Sequence, residues 1–177
     1  MEIIHTALEG CVEIEPKIFS DERGFFLETF QKERYKELAG IGLDFVQDNH
    51  SRSSKGVLRG LHFQKNKQQG KLVRVVEGQV FDVAVDIRKD SETYGKWHSV
   101  ILSASNKKQF YIPPGFAHGF YVMSHTADFE YKCTDYYDSS DEGCILWNDK
   151  TLRIDWPSDE VIVSEKDQNG MHFDDLN

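Results

Sequence analysis

Between residues 71 and 134 the chain is cut by turn signals into short runs that alternate or carry β-branched residues, with no helical crossover between them. Lys71–Val76 reads Lys-Leu-Val-Arg-Val-Val and ends in Glu77-Gly78, and Val80–Asp86 alternates from just after that turn. The pair predicts a β-hairpin. Trp97–Leu102, Gln109–Ile112, Gly119–Met123 and Asp128–Thr134 read as further strands. A doubly wound α/β fold would need repeated crossover helices. One helix is expected, at residues 30–39, where helix formers run up to Gly40, a good stop residue. The pattern predicts an all-β antiparallel sandwich or barrel with little helix around it.

The length of 177 residues suits one domain over 1–177, large enough to bury a substantial core. No run of 18 apolar residues predicts a membrane span. The start, Met1-Glu2-Ile3-Ile4-His5-Thr6, lacks the basic and apolar regions of a signal peptide, so a cytoplasmic location is expected. Cys11, Cys133 and Cys144 are odd in number and lack metal-ligand spacing, and they read as reduced structural thiols. A net charge of −9 argues against nucleic acid as a partner. An anionic small substrate would need a local basic pocket, for which Arg23, Arg59, Lys71 and Lys166 are the candidates. Taken singly, each reads as a solvated surface charge.

Two histidines sit beside glycine turns, in Val57-Leu58-Arg59-Gly60-Leu61-His62-Phe63-Gln64 and in Pro113-Pro114-Gly115-Phe116-Ala117-His118-Gly119. The arrangement looks like a cupin barrel that has lost its metal. A cupin metal site uses His-x-His, a Glu and a later His. Here Gln64 stands where the second histidine would be, which leaves His118 as a late ligand without a site. A lone histidine on a strand is more often a satisfied core residue than a base. Within Asp128–Thr134, Phe129, Tyr131 and Cys133 share one face, which turns Tyr131 inward. If that strand stays regular, Tyr137 shares its parity.

The chain resembles the dTDP-4-dehydrorhamnose 3,5-epimerase family over nearly its whole length, from Asp21 to Asp167. The resemblance is carried by ordered blocks: Asp21-Glu22-Arg23-Gly24-Phe25-Phe26, Gln47-Asp48-Asn49-His50-Ser51, the two histidine motifs, Gly70-Lys71-Leu72-Val73-Arg74, Phe81–Arg88, Glu130-Tyr131-Lys132, Leu146-Trp147-Asn148-Asp149 and Ser164-Glu165-Lys166-Asp167. It implies a cupin-type jelly-roll barrel with short peripheral helices, a choice that periodicity alone leaves open against an immunoglobulin-like sandwich. It implies that His62 is the general base, Asp167 the carboxylate that orients it, Tyr131 the acid on the opposite face of the sugar and Lys71 the cation near the ketone oxygen. It further implies that Arg23, Glu28, Gln47, Asn49, Arg59, His118, Glu142 and Lys166 contact the nucleotide sugar, that Tyr137 stacks on thymine, and that the protein is a homodimer with exchanged strands.

The chemistry suits this set. Epimerisation beside a ketone removes a carbon-bound proton and leaves an enolate, for which a histidine base works near neutrality. A lysine beside the oxyanion stabilises it, and inversion needs an acid on the far face. No cofactor and no metal is called for, and there is no Gly-rich dinucleotide loop. A single-carbon epimerase would share every one of these residues. A 3,4-ketoisomerase would carry a second histidine at Gln64, and a non-catalytic sugar-binding cupin would have no use for His62, Asp167 and Tyr131 together. Arg59 and His62 differ in strand parity although both are assigned to one substrate, which predicts a bulge or bend at Gly60.

Overall fold

The computed structural model describes residues 1–176. Its elements run β1 (Glu2–His5), β2 (Val12–Glu15), β3 (Ile18–Asp21), β4 (Gly24–Leu27), α1 (Lys32–Ala39), β5 (Gln47–Ser54), β6 (Leu58–Gln64), β7 (Lys71–Glu77), β8 (Gln79–Asp86), β9 (Trp97–Ser103), β10 (Gln109–Ile112), β11 (Phe116–Val122), β12 (Thr126–Cys133), β13 (Glu142–Cys144) and α2 (Glu165–Gln168). One sheet has the order β1-β2-β10-β7-β12-β5 and the other β13-β6-β11-β8-β9, all neighbours antiparallel. This is the cupin-like jelly roll expected.

Alternation sorts each strand onto its faces. Val73 and Val75 of β7 and Phe129 and Ala127 of β12 meet Ala84, Phe116, Phe120 and Val122 of the other sheet in the barrel core. Full burial of a side chain such as Phe129 stabilises by about 1.5–3 kcal/mol. Outside the six-stranded sheet, α1 packs Tyr35 and Ala39 against Val12, Ile14, Leu72 and Tyr111. Outside the other, the C-terminal segment lays Ile145, Leu152, Trp156 and Phe173 over Leu61, Phe63, Val83 and Val85. Helix α1 starts at an N-cap, Gln31, and stops at Gly40, whose φ of 70° is left-handed, where a β-carbon is disfavoured.

The hairpin expected from residues 71–76 and 80–86 does not form. β7 pairs with β10 and β12, and β8 with β9 and β11, so the turn carries the chain from one sheet to the other. Gly78 makes that corner at φ 77°, and a Cβ there would lie 2.0 Å from the Thr126 carbonyl. Both strands bury one face against the same core, so their alternation is the same for a hairpin and for a corner between sheets. The strand β12 also ends at Cys133, and Tyr137 lies in the following loop, where strand parity has no meaning.

The bend at Gly60 is present. His118 faces His62 and Phe120 faces Arg59, so β6 carries one more residue than β11 across that interval. Gly60 has φ 131°, and a Cβ would meet Gly119 Cα at 2.5 Å and the His118 carbonyl at 2.8 Å. Gly60→Ala should therefore destabilise the protein by about 2–4 kcal/mol, combining backbone strain with a clash against backbone. Urea unfolding would show this as a lower midpoint at an unchanged slope. An unaltered midpoint would contradict the close approach.

Candidate active site

The bulge turns Arg59 and His62 to the same side. They line a cleft of about 420 Å³ with Val163, Ser164, Lys166 and Asp167. His62 Nε2 lies 2.7 Å from Asp167 Oδ1. The Gly60 N–H donates to the other Asp167 oxygen at 3.3 Å. Asp167 is placed by α2, whose N-cap Ser164 accepts from the Asp167 N–H at 3.1 Å. Burial alone would push the Asp167 carboxyl up, but the bonds from His62, Gly60 and Ser164 outweigh it and hold the group below its usual range. With Nε2 engaged, the lone pair of the His62 imidazole stands at Nδ1, and among the described residues that nitrogen has no partner.

Cross-strand pairing aligns a second histidine with the first. His118 stands opposite His62 on β11 and its ring stacks on Phe129 of the facing sheet, centroids 6.0 Å apart. Its Nε2 lies 2.9 Å from the fully buried Asp82. Burial lowers the affinity of His118 for a proton, and Asp82 only partly offsets this. Phe129 in turn touches Tyr131, centroids 5.9 Å apart. Tyr131 thus packs at the core's edge on the wall opposite His62, as its parity predicted. Burial raises its hydroxyl to about 12, so it stays protonated at neutral pH. Among the described residues that hydroxyl has no hydrogen-bond partner. Lys71, on the same sheet face as Val73, is lowered by burial, with Cys133, Asp82 and Glu142 opposing that shift.

A polar network closes one end. Gln47 accepts from the Tyr137 N–H at 2.9 Å and donates to Asn49 at 3.0 Å. Tyr137 donates its hydroxyl to Glu142 at 2.7 Å, and Glu142 pairs with Lys166. Arg59 donates Nε to Ser53 at 3.0 Å, reaching the opposite sheet. The fold therefore gathers His62, Asp167, Arg59, Lys166, Glu142, Tyr137, Gln47 and Asn49 about one end of the barrel, with Lys71, His118 and Tyr131 inside it. Arg23 and Glu28 stand apart. Arg23 is at the tip of the β3–β4 hairpin, its side chain 85% exposed and paired with Asp21, and Glu28 pairs with Arg34.

Three groups escaped the sequence reading. Asp82 was visible only as a charge in an apolar strand. Ser53 gave no signal. Cys144 pairs across strands with His62, and its thiol points at Asp167 Oδ1, 3.8 Å away. The donor atoms of His62, Cys144 and Asp167 all lie within 4.8 Å of one another. Cys144, judged by sequence spacing to have no metal-ligand partners, acquires two through folding. Gln64 faces no such group; its side chain holds the backbone of Lys67, Tyr136 and Asp138.

The model of the dTDP-4-dehydrorhamnose 3,5-epimerase family matches residues 5–175. The chain belongs to that family. It is 56% identical over 169 residues to the dTDP-4-dehydrorhamnose 3,5-epimerase of Salmonella typhimurium, covering 94% of this chain and 92% of that one. It is 54% identical over 176 residues to the enzyme of the same name from Shigella flexneri, covering 99% and 97%. The crystal structure of dTDP-6-deoxy-D-glucose-3,5-epimerase from Legionella pneumophila, in complex with dTDP-4-keto-L-rhamnose, superposes with a TM-score of 0.97 at 57% identity, covering 99% of this chain and 94% of that one. Among the described residues no helix is long and apolar enough to cross a membrane.

Proposed function

We propose that this chain inverts C3 and C5 of dTDP-4-dehydro-6-deoxy-D-glucose to give dTDP-4-dehydro-L-rhamnose, through successive enolates. The observation that carries this reading is the His62–Asp167 dyad on one wall of the barrel with Tyr131 on the other. Nδ1 of His62 takes the carbon-bound proton, and the electron pair moves into the C=C bond as the ketone oxygen takes up the charge. Lys71 stabilises that oxygen. Asp167 stabilises the imidazolium at Nε2. Tyr131 delivers a proton to the far face, and solvent restores both groups. Arg59 and Lys166 hold the diphosphate, Gln47, Asn49, His118 and Glu142 hold the sugar and base, and Tyr137 stacks on thymine. No metal or cofactor takes part.

Arg23 and Glu28 join this set through a second copy of the chain. The β3–β4 hairpin pairs with neither sheet, and it exposes Phe19, Phe25 and Phe26 at 53%, 60% and 69%. A homodimer that exchanges these hairpins would cover those rings and bring Arg23 and Glu28 to the partner's cleft. Three free, buried cysteines suit a reducing cytoplasm.

Incubation with dTDP-4-keto-6-deoxyglucose in D₂O tests the reaction. Deuterium at both C3 and C5, with inversion at each, is expected. Label at one carbon alone would make the enzyme a single-carbon epimerase, and no label would remove the enolate mechanism.

A further inference from the structure

We propose that His62, Cys144 and Asp167 form a site for a thiophilic divalent cation of the Zn²⁺ or Cd²⁺ class, and that its occupation switches the base off. Two strands and a short helix make the site. Cys144 on β13 and His62 on β6 are direct cross-strand partners, so their side chains share one face, and α2 lowers Asp167 onto both. The nitrogen and oxygen donors are 2.7 Å apart and the sulfur and oxygen donors 3.8 Å. Tetrahedral zinc, with bonds of about 2.0–2.3 Å, sets its ligand atoms about 3.3–3.6 Å apart. The dyad would open slightly and the thiol would close slightly to reach that spacing. One imidazole, one thiolate and one carboxylate form a donor set that suits Zn²⁺ or Cd²⁺, whereas Mg²⁺ and Ca²⁺ prefer six or more oxygens. The cleft over His62 leaves the fourth position to water.

Binding breaks the S–H bond and forms a metal–sulfur bond, with the proton released to solvent. The ion also takes the place of the proton between His62 Nε2 and Asp167. A neutral imidazole bound through Nε2 must carry its hydrogen on Nδ1. That is the nitrogen proposed to face the substrate, so the lone pair that accepts the carbon-bound proton is lost. The site itself rests on geometry, and its effect on turnover rests on the role proposed for His62.

The experiment uses the chelator-treated full-length protein titrated with Cd²⁺. A cadmium–thiolate ultraviolet band should grow to one equivalent as turnover falls, and chelator should restore full turnover. Cys144→Ser should keep the metal-free turnover, lose the band and require far more Cd²⁺ for inhibition, beyond the ~10–100-fold typical of losing an outer-shell partner. Cys144→Ala, whose side chain is smaller and apolar, gives the same comparison if the serine variant folds poorly. A band equally strong in both variants, or no band in the wild type, would overturn the site. A band that depends on Cys144 without loss of turnover would leave the site standing and remove the proposed switch.

Discussion

His62→Asn should lower turnover by about 10²–10⁴-fold, the usual cost of losing a general base, and by more where the same group acts at both carbons. Asparagine keeps some of the size and polarity of the ring, and Asp167 keeps its bonds to Gly60 and Ser164. The loss should therefore fall on kcat with the fold intact. Asp167→Asn should be slow for a different reason. The amide keeps one acceptor oxygen for two donors, so its NH₂ group must face either the Gly60 N–H or Nε2, and in both orientations the imidazole loses the negative charge that stabilises its protonated form. Solvent exchange of the C5 proton, followed by NMR, measures base function directly. Near-normal exchange in His62→Asn would exclude His62 as the base.

The second large effect separates proton removal from inversion. Tyr131→Phe keeps the ring against Phe129 and deletes the hydroxyl. That hydroxyl has no partner among the described residues, so no intramolecular hydrogen bond is lost. Stability should change by less than the ~1 kcal/mol typical of one such bond. Turnover to inverted product should nevertheless collapse. His62 would still form the enolate, and the proton would return from the histidine side. In D₂O the variant should wash label into the sugar much faster than it makes inverted product. A folded variant that inverted both carbons at the wild-type rate would reduce Tyr131 to a packing residue.

That the fold is an antiparallel sandwich or barrel was legible because its strands are short, alternate and lie between turn residues; the Pro-x-Gly-x-x-His turn and the family resemblance made the choice of jelly roll. Local chemistry also placed the end of α1 at Gly40, and strand parity together with the family resemblance placed the bulge at Gly60. In the second case two side chains of opposite parity had to reach one substrate, and only a residue without Cβ passes so close to Gly119. Tyr131 was legible for the same reason, since a strand's period of two fixes which side chains share its inner face.

Partner choice between strands was not legible. Lys71–Val76 and Val80–Asp86 have the alternation of a hairpin, yet they belong to different sheets, β7 between β10 and β12 and β8 between β9 and β11. The resemblance assigned Asp167 to His62, but only the folded chain shows how the pairing is made, by a four-residue helix capped by Ser164 over a strand a hundred residues earlier. Asp82 beneath His118 and Cys144 beside the dyad have no counterpart in any local pattern. Residue type and spacing along the chain determined which side chains face inward. Long-range strand order decided which of those inward groups touch, because contacts between residues far apart in sequence depend on how the sheets close.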